Sequence, residues 1–433
     1  MASYFAGLDF GTSGARLAVI DADQQAVVGH HTDFASVDPQ DWPQQWLSAL
    51  RNLLASLAAD VRSQLRAIAI NGTSATVLLC NEVGQPVTPP LLYNDARGQT
   101  QQEFLATVAS AGSPALSATS SLAKLLWWRQ TLPSETCQEA RHLMHQADWL
   151  ACHLHGQMGL TDYHNALKLG YDVDQLRYPD WLSEALQPMS LTAWLPEVQA
   201  PGSLFGLVSA AARAQHGLPN DCVVIAGTTD SIAAFLASGA KAVGEAVTSL
   251  GSTLVIKLVS PIQINDSRYG IYSHRLGACW LVGGASNTGG AVLKQFFTDA
   301  ELETLSARIS PEQASPLRYY PLPKPGERFP LNDPQLLPQI SPRPKSDVEF
   351  LHGLLEGIAR IEAQGYQRLT ELGAPPVKQV YTAGGGAKNQ VWQTIRQRCL
   401  SVPVVPAEAT DAALGTAKLA YQGWLAQPTE TEA

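Results

Sequence analysis

The first twenty residues place a polar turn between two apolar runs. Apolar positions dominate Phe5–Leu8 and Leu17–Ile20, and the turn between them reads Gly11-Thr-Ser-Gly14. Glycine supplies the positive φ that tight turns need. The pattern predicts a β-hairpin, and the only acid in this stretch, Asp9, lies at the edge of the turn.

The apolar spacing then becomes helical. Asp41 is a candidate N-cap, and the apolar residues that follow at intervals of three or four form one face of an amphipathic helix: Trp46, Leu50, Leu53, Leu57 and Val61. Beyond it, Ala67–Ile70 and Ala75–Leu79 flank the polar segment Asn71-Gly-Thr-Ser74. This part of the chain therefore predicts a further strand, polar turn and strand.

A second hairpin pattern lies much later, over Ala246–Ile256. When it is aligned with the first, Gly11-Thr12-Ser13 falls on Gly251-Ser252-Thr253. Two such turns, one near the start of each half, suggest a duplicated architecture whose turns face a shared ligand. Glycine-rich hairpins are common, so spacing alone leaves duplication and coincidence open.

A proline-rich connector follows. Ten of the 28 prolines lie between Pro311 and Pro344, which excludes a helix or a central strand there and predicts an irregular surface segment. Ser346-Asp-Val-Glu349 then reads as a capping box. The helix it opens has an apolar face made of Phe350, Leu351, Leu354, Leu355, Ile358 and Ile361.

The last hundred residues predict a strand, a glycine-rich loop and a helix. The strand is expected at Val377–Thr382, the loop at Ala383–Ala387 and the helix at Asn389–Leu400, followed by the apolar run Val402–Val405. A closing helix is expected over Ala412–Leu425. Backbone N–H groups at such a helix start can meet a nucleotide, although a glycine-rich loop alone is a weak signal.

Composition narrows the class of protein. A chain of 433 residues exceeds the size of one core, so two large domains are expected. The net charge of -9 and the absence of any Lys/Arg run argue against nucleic-acid binding. No apolar run is long enough to span a bilayer, so no membrane partner is expected, and nothing in the sequence fixes an oligomeric state.

The cysteines and the N-terminus bear on the compartment. The six cysteines are too far apart for a C-x-x-C motif and too sparse for a disulfide scaffold. Met1 leads straight into the strand-like Tyr4–Leu8, with neither a basic nor an apolar leader region. We therefore expect reduced thiols and a cytoplasmic protein.

The Asp9 turn suits phosphoryl transfer. This chemistry needs a metal beside the phosphates, donors along the phosphate oxygens and an acceptor hydroxyl in line. The Asp9 carboxylate can hold Mg²⁺, usually through retained waters, while Thr12 and Ser13 offer hydroxyl and backbone donors.

A second acid follows the apolar segment Val223–Ala226. Gly227-Thr-Thr predicts a turn, and a helix starts at Asp230. By itself this pattern favours an N-cap aspartate, and the other hydroxyl-rich turns are what point to a catalytic group. An ionised aspartate is a poor base toward a resting alcohol, but it can accept the proton late in transfer.

Motifs of other enzyme classes are absent. The sequence has no G-x-x-x-x-G-K-[ST], no G-x-G-x-x-G after a strand and no H-E-x-x-H. The histidines at 142, 145, 153 and 155 read as surface or satisfied core residues rather than ligands. Trp127 and Trp128 read as core packing.

Several motifs in the first half together resemble the FGGY carbohydrate kinases. Asp9-Phe-Gly-Thr-Ser-Gly-Ala-Arg16 resembles the first phosphate turn of that family. Pro90–Arg97 resembles its W-x-D-x-R sugar-side motif, with Tyr93 in place of Trp. Lys124-Leu-Leu-Trp127 resembles its K-x-x-W signature, and Asp162–Asp172 its D-x-S-N-A segment, with His164 where Ser is common.

The second half continues the resemblance. Gly227-Thr-Thr-Asp230 resembles the base motif, and Ser249–Thr253 the second phosphate turn. Gly326–Asp333 is similar to the G-E-R-x-P-x-x-D element, and Gly384–Trp392 to the adenine-side loop. The short plant and cyanobacterial type with D-ribulose kinase activity, once labelled xylulose-kinase-like, is the most similar subtype.

The resemblance implies an α/β fold of duplicated ribonuclease-H-like domains of the actin and hexokinase type, with a cleft between them. Residues 1–238 would form the N-terminal domain with sugar and base, and residues 239–425 the C-terminal nucleotide-binding domain. The substrates implied are a small sugar and ATP, with Mg²⁺ as the cofactor.

The implied residue roles follow from the matched motifs. The catalytic residues are Asp230, Asp9 and Thr12, and the metal is held by Asp9, through water, and by Asp230. The sugar is expected at Asp9, Ser13, Gly14, Thr73, Ser74, Asp95 and Asp230. ATP is expected at Gly11, Thr12, Ser13, Gly251, Ser252, Thr253, Gly384, Gly385, Gly386, Asn389 and Trp392.

One departure bears on the sugar. Xylulose and glycerol kinases usually carry a Q-x-H-G type motif where this chain has Asn71-Gly-Thr-Ser74. A site built for one hydroxyl arrangement discriminates against another. We therefore expect D-ribulose, converted to D-ribulose 5-phosphate, with D-xylulose kinase and a sugar-independent actin-like ATPase as the alternatives.

Overall fold

The computed structural model describes residues 2–110 and 112–427. The chain forms two compact units. The first unit contains the residues up to Ala237 and those from Asp411 onward, and the second unit is Ser238–Thr410. The expected domain boundary at 238/239 lies one residue from this division, and the closing helix, expected in the C-terminal domain 239–425, packs with the first compact unit.

The first unit contains ten strands within the described residues: β1 (Tyr4–Phe10), β2 (Gly14–Ile20), β3 (Ala26–Asp33), β4 (Leu65–Gly72), β5 (Val77–Cys80), β6 (His142–His145), β7 (Leu160–Asp162), β8 (Glu197–Gln199), β9 (Leu204–Leu207) and β10 (Val223–Thr229). Six of them form its main sheet, in the order β3-β2-β1-β4-β10-β9. β5 pairs with β6 and β7 with β8 in two small sheets.

The helices that precede the division at 237/238 are α1 (Trp42–Ala55), α2 (Ala59–Arg62), α3 (Gln102–Val108), α4 (Ser121–Thr131), α5 (Ser134–Glu139), α6 (Gln146–His155), α7 (Tyr163–Ala166), α8 (Asp180–Leu186), α9 (Ala210–His216) and α10 (Asp230–Ala237). Four predicted face residues of the first helix, Trp46, Leu50, Leu53 and Leu57, are buried. Val61 lies beyond the end of α1, on the separate short helix α2. Asp41 does occupy the N-cap position, but its side chain makes no capping hydrogen bond.

The second unit contains β11 (Glu245–Leu250), β12 (Leu254–Ser260), β13 (Tyr272–Leu276), β14 (Cys279–Ser286), β15 (Gln379–Ala383) and β16 (Val404–Pro406). Its sheet has the order β13-β14-β12-β11-β15-β16. Its helices are α11 (Gly290–Leu293), α12 (Asp299–Ser306), α13 (Asp347–Glu371) and α14 (Gln390–Leu400), and α15 (Ala412–Leu425) returns to the first unit.

The two sheets share one topology. In each, three antiparallel strands are followed by two parallel ones: β3-β2-β1 with β4 and β10, and β14-β12-β11 with β15 and β16. The duplication that the two hairpin patterns left open is thereby confirmed. The fold is the duplicated actin and hexokinase type.

Helix α15 packs on one face of the first sheet. Gly7 on β1 faces its backbone so closely that a Cβ there would lie 2.1 Å from the amide nitrogen of Ala417. A small core of Phe5, Ile225 and Ala420 fills this contact. The opposite face is covered by a larger core to which α1 and α6 contribute Trp46 and Trp149.

Two local predictions differ from the structure. Asn71 and Gly72 belong to β4 rather than to a turn, and β5 pairs with β6 instead of returning along β4. Gly227-Thr-Thr is not a turn either, because β10 continues through Thr229 and α10 begins at the next residue. Both segments read as turns because Gly, Thr and Asn are typical turn formers, yet they continue central parallel strands to their carboxyl ends.

The proline-rich connector contains no helix or strand between α12 and α13, as predicted. It does not lie wholly on the surface, since Tyr319, Leu322 and Phe329 are buried. The hydroxyl of Ser346 accepts a hydrogen bond from the Glu349 amide and caps α13, and all six residues of the predicted apolar face are buried.

Two further features of the described residues concern membrane-spanning helices and cysteines. Among the described residues, no helix has both the length and the apolar composition that crossing a bilayer requires. All six cysteines are free thiols.

Candidate active site

The carboxyl ends of three neighbouring parallel strands bring Asp9, Asn71 and Asp230 to one edge of the first sheet. Asp9 on β1 is the register partner of Asn71 on β4, and Asn71 is in turn the partner of Thr228 on β10. Asp230 follows β10 directly as the first residue of α10. Open α/β sheets bind ligands at this end of their strands.

Asp9 is a buried acid whose pKa is strongly perturbed. Asp9 is 7% exposed, and its Oδ1 atom is buried with no hydrogen-bond partner among the described residues. Burial, together with the negative charges of Asp230 and Asp411, raises the pKa of Asp9 to about 7, against the opposing effect of Arg16. An unpaired buried carboxylate oxygen is suited to accept a cation or a hydrogen-bond donor, because burying a charge alone is costly.

Asp9 and Asp230 belong to the same unit of the protein, and the negative charge of Asp230 contributes to the raised pKa of Asp9. Asp411, at the N-cap of α15, is a third acid that the sequence analysis did not select. The amide of Ser231 donates to Oδ1 of Asp230 at 2.7 Å, so the carboxylate is oriented by the start of its own helix.

At the same strand ends lie two more buried polar atoms that have no hydrogen-bond partner in the part of the chain that the structure describes. These are Oδ1 of Asn71 and Oγ1 of Thr229. The amide of Asn71 donates to Oγ1 of Thr416 on α15 at 2.6 Å, and the residue is fully buried. Asn71 therefore joins β4 to α15 rather than facing solvent.

The turn after β1 is fixed by its backbone and leaves its hydroxyls exposed. The amide of Gly11 donates to the Gly14 carbonyl at 3.0 Å, and the Phe34 amide donates to the Ser13 carbonyl at 2.8 Å. A Cβ on Gly14 would lie 2.6 Å from the carbonyl oxygen of Thr32, which requires glycine there. Thr12 and Ser13 are exposed, so their side chains are accessible to a ligand.

Thr73 and Ser74 lie just beyond β4. The hydroxyl of Thr73 is 2.5 Å from that of Thr76 and also bonds Oε1 of Gln146 at 3.2 Å, so its hydrogen bonds are largely internal. Ser74 is partly exposed. Ala75 follows with φ of 66°, a strained conformation for a residue with a Cβ.

Lys124 holds this segment in place. It is a fully buried lysine on α4, and its Nζ donates to the carbonyls of Ala75 and Leu92 at 2.7 Å each. Burial lowers the pKa of Lys124 to about 7, while the Asp95 carboxylate acts in the opposite direction. The K-x-x-W motif contained this residue, but no sequence pattern showed that it joins two loops.

Asp95 forms a close ion pair with Arg97. Both carboxylate oxygens accept hydrogen bonds from Arg97, the shortest at 2.6 Å, and the Arg97 guanidinium lies over the Trp127 ring at 4.8 Å. Burial raises the pKa of Asp95, but hydrogen bonds and charge from Arg97 outweigh that effect and hold it below its ordinary value. Asp95 is therefore a fixed, ionised acceptor.

The segment after β7 reaches the same strand ends. Nδ1 of His164 is 2.7 Å from the hydroxyl of Thr228, and the Asp162 carboxylate accepts from the His164 amide at 2.8 Å. Lys168 follows on the next turn. Burial lowers the pKa of Lys168, and the negative charge of Asp230 opposes this, which places a cation near that acid. Lone lysines carry no sequence signal, so Lys168 was not selected.

The structure shows the surroundings of the four histidines that were interpreted as structural. His145 is fully buried and lies 3.1 Å from Oδ2 of Asp148 and 3.2 Å from the Ser121 hydroxyl. This serine, histidine and aspartate arrangement is sealed from solvent, so it satisfies the core rather than serving hydrolysis. Burial lowers the pKa of His155 to about 4. For His142 and His153, burial also lowers the pKa.

The second unit presents two glycine segments at the ends of neighbouring parallel strands. Gly251-Ser252-Thr253 joins β11 to β12, and Gly384-Gly385-Gly386 follows β15. The two segments touch, because a Cβ on Gly384 would lie 2.7 Å from the Leu250 carbonyl oxygen. Gly384 also has φ of 83°. Around Gly385 there is no atom within 4 Å of a Cβ position.

A buried ion pair lies beneath these segments. Arg396 on α14 donates to both carboxylate oxygens of Glu362 on α13 at 2.6 and 2.7 Å, and both residues are buried. The pair reaches both strands, since Glu362 accepts from the Thr248 hydroxyl on β11 and Arg396 donates to the Thr382 hydroxyl on β15. Thr248 and Thr382 are register partners.

Asn389 and Trp392 support the glycine loop rather than present flat surfaces to a ligand. The Asn389 side chain accepts from the Trp392 amide at 2.9 Å and caps α14. Trp392 is 3% exposed, and its indole donates to the Leu355 carbonyl at 3.1 Å. Because its ring is buried, Trp392 offers no exposed aromatic face to a nucleotide.

The predicted site residues therefore fall into two sets. The first unit brings Asp9, Asp230 and the hydroxyl turn of Thr12 and Ser13 to the strand ends of its sheet, and Lys124 ties the Thr73–Ser74 segment to the loop that leads to Asp95. The second unit brings together the 251–253 turn and the 384–386 loop. Sequence reasoning quoted Lys124 in a motif without assigning its contacts, and it missed Lys168, Asp411 and the Asn71–Thr416 bond.

Comparison with known proteins gives the family. Models of the N-terminal and C-terminal domains of the FGGY family of carbohydrate kinases match residues 4–237 and 246–424. A xylulose kinase of Lactococcus lactis is 24% identical over 65% of this chain and 58% of its own length, and a gluconokinase of Bacillus subtilis is 22% identical over 95% of this chain and 86% of its own. A solved structure described as a xyloylose kinase from Brucella ovis superimposes with a TM-score of 0.85 at 22% identity, covering 98% of this chain and 91% of that one. This chain belongs to the FGGY family of carbohydrate kinases.

Proposed function

We propose that this carbohydrate kinase transfers the γ-phosphoryl group of ATP to the terminal hydroxyl of D-ribulose, forming D-ribulose 5-phosphate. The observation that carries the proposal of phosphoryl transfer at this edge is Asp9. Its buried Oδ1 has no hydrogen-bond partner in the described parts of the chain, and two further acids, Asp230 and Asp411, act on it electrostatically. Mutual repulsion among three carboxylates is relieved when a proton or a cation neutralises part of their charge, so the cluster favours a bound cation at pH values where all three are ionised.

The residues fit Mg²⁺ bound largely through water. Carboxylate oxygen is the ligand that Mg²⁺ prefers, and Asp9 offers one free of protein hydrogen bonds. The described residues contain no group of three or more metal-binding side chains, so the ion would keep several waters, with Asp9 and Asp230 as its protein carboxylates. When bound, Mg²⁺ neutralises charge on the β- and γ-phosphate oxygens.

Asp230 is the proposed base. Its helix start fixes the carboxylate, which orients the sugar hydroxyl and accepts the proton late, as the oxygen–phosphorus bond forms. Lys168 interacts electrostatically with Asp230, since the Asp230 charge opposes the lowering of the Lys168 pKa by burial. Substitution of Asp230 therefore removes transfer without removing the nucleotide site.

Phosphate and nucleotide contacts are assigned to the glycine turns. Thr12 joins Asp230 and Asp9 as a catalytic residue, with Gly11 and Ser13 as further donors to the phosphates. In the second unit the ATP contacts proposed are the 251–253 turn, the 384–386 loop and Asn389. The open space around Gly385 supports a contact at the loop itself.

The sugar is assigned to the first unit. Ser74 and Asp95 are the proposed contacts, with Ser13, Gly14 and Thr73 beside them. Asp95 is ionised and fixed by Arg97, so it suits two sugar hydroxyls as donors. D-ribulose is preferred because small hydroxyl side chains stand at 73 and 74, in the pattern of the short D-ribulose kinase type.

D-xylulose is the second candidate. It is favoured by the relatives, several of which are named xylulose kinase. The two ketopentoses differ in the orientation of one hydroxyl, and a buried polar contact made to one orientation is lost with the other.

A substrate panel tests these proposals. ADP formation is measured with D-ribulose, D-xylulose and D-gluconate, and the position of the phosphate is read by phosphorus NMR. The expected result is the highest kcat/KM for D-ribulose with a terminal phosphate ester. Preference for D-xylulose establishes the second candidate, and equal ADP formation without any sugar establishes an ATPase instead.

The role of Asp230 is tested separately. Asp230→Ala is expected to lower kcat by more than about 10³-fold while ATP still binds. Asp60→Ala removes an exposed carboxylate of the same unit that makes no hydrogen bond within residues 2–110 and 112–427, and it serves as the matched control. Near-normal turnover in Asp230→Ala would exclude this residue as the base.

A further inference from the structure

A separate cavity of about 440 Å³ lies on the second unit between the proline-rich connector, α13 and α14. Three arginines line it: Arg318, Arg360 and Arg398. Glu356 is the single acid among the described residues of the lining. None of these residues belongs to the 251–253 turn or the 384–386 loop, so the cavity is distinct from the proposed ATP contacts.

Glu356 already accepts hydrogen bonds from other residues of the protein. It is 1% exposed and accepts from Nη2 of Arg360 at 3.0 Å and from Nη1 and Nη2 of Arg398 at 3.1 and 2.5 Å. Burial raises the pKa of Glu356, but hydrogen bonds from Arg398 and the Ser315 amide hold it below its usual range. One carboxylate between two guanidinium groups leaves a positive charge uncompensated.

Backbone carbonyls of the connector fix both guanidinium groups. Arg360 donates to the carbonyls of Leu317 and Ser315 at 2.8 and 3.1 Å. Arg398 donates to the carbonyl of Pro311 at 3.2 Å. Arginines held in this way lose little further conformational entropy when an anion binds.

Arg318 differs from the other two. It is exposed and makes no side-chain hydrogen bond or ion pair with the described residues, although it lines the same cavity. Glu312 acts electrostatically on Arg398 without forming an ion pair with it. Even with Glu312 counted, three arginines face two acids, and the cavity keeps a net positive charge.

We propose that this cavity binds a phosphate-bearing small molecule, with Arg318 closing on the anion against the preoriented Arg360 and Arg398. The Arg318 guanidinium can offer paired N–H donors to phosphate oxygens, which a lysine cannot, while Arg360 and Arg398 contribute fixed positive charge. The volume suits a small ligand.

The cavity also has room for an organic group next to the phosphate. A second groove of about 420 Å³ shares Gln364 and Gln367 with it and continues along α13 to Tyr320 and Leu331. The amides of the two glutamines can bond hydroxyls, and Tyr320 and Leu331 offer apolar surface. Free inorganic phosphates and phosphate esters therefore share the recognition chemistry, and the experiment separates them.

Calorimetric titration of the full chain tests the site. The probes are pyrophosphate, orthophosphate and a pentose 5-phosphate, each added after β,γ-imido-ATP and Mg²⁺ have saturated the nucleotide site. Arg318→Ala removes a side chain that has no hydrogen-bond or ion-pair partner among the described residues, so it leaves the fold intact. Arg308→Ala is the matched control, because Arg308 is another exposed arginine of the same unit whose side chain makes no hydrogen bond to described residues.

The expected result is one bound anion per chain, with affinity reduced about ten- to a hundredfold in Arg318→Ala and unchanged in Arg308→Ala. Tighter binding of the pentose phosphate identifies an ester as the ligand class, and tighter binding of pyrophosphate identifies a free phosphate. The proposal is overturned if no probe binds at concentrations up to about 10 mM, which lie well above the dissociation constants of specific sites. Equal affinity in Arg318→Ala, or an equal loss in both variants, also overturns it.

Discussion

Asn71 and Thr416 are joined by a 2.6 Å hydrogen bond between Nδ2 and Oγ1, inside the first unit and beside Asp9. The bond connects a central strand to the last helix of the chain. Because α15 carries Asp411 at its N-cap, this contact sets where the third acid lies relative to Asp9.

Thr416→Val should destabilise the protein by about 1 to 3 kcal/mol, because it leaves the buried amide of Asn71 without its partner. Activity should fall as α15 shifts, while Thr416→Ser, which keeps the hydroxyl, should behave like the wild type. Urea unfolding and kcat measure the two effects. Equal stability of the Val and Ser variants would show that the bond contributes nothing.

Asp9→Asn should stabilise the metal-free protein at high pH. The pKa of Asp9 is raised to about 7 in the folded state, so between about pH 4 and 7 the folded protein holds a proton that the unfolded chain has lost. The free energy of unfolding therefore falls as pH rises through this window, by up to roughly 4 kcal/mol. Asn carries no charge and removes this loss.

Thermal unfolding at pH 5 and pH 8 measures the effect of Asp9→Asn. The melting temperature of the variant should exceed that of the wild type more at pH 8 than at pH 5, and its kinase activity should be lost. The same difference at both pH values would contradict the titration of Asp9. Asp60→Ala again provides the control for a generic loss of surface charge.

Lys124→Met should weaken sugar use more than ATP use. The substitution leaves the Ala75 and Leu92 carbonyls without their donor and frees the segments that carry Ser74 and Asp95. We expect a rise of about tenfold or more in KM for the sugar, with little change in KM for ATP. Steady-state kinetics with each substrate varied in turn measures the two KM values. Equal changes in both would argue for general unfolding.

Glu362→Gln should lower the free energy of unfolding by about 3 to 5 kcal/mol, since it leaves the Arg396 guanidinium buried without its counter-charge. The double variant Glu362→Leu/Arg396→Met should be more stable than either single one, because no lone charge remains. A double-mutant cycle by urea unfolding measures the coupling. Additive losses would show that the pair is not energetically coupled.

Gly384→Ala and Gly385→Ala form a matched pair. At Gly384 a Cβ would collide with the Leu250 carbonyl and the backbone is left-handed, so we expect a loss of about 1 to 3 kcal/mol. At Gly385 the Cβ position is open, so stability should be unchanged within about 0.5 kcal/mol. Similar stability of both variants would contradict the strain at Gly384.

Local patterns could predict much of the fold. The hairpin around Gly11, the Ser346-capped helix with its buried face, and the closing helix at Ala412–Leu425 all appear where the spacing of apolar residues indicated them. The turn readings at Asn71–Gly72 and Gly227–Thr229 were wrong. Turn-forming residues in a central strand are decided by their neighbours in the sheet, which local patterns do not contain.

The sequence by itself determined the periodicity, the caps, the glycine turns and the motifs that mark a carbohydrate kinase, because these depend on residues close together along the chain. The tertiary structure alone decided that Asp411 and Thr416 lie beside Asp9 and Asn71, and that Lys124 joins two loops. It also decided that Trp392 is buried. These relations depend on strand order and helix packing across hundreds of residues, and no local pattern encodes them.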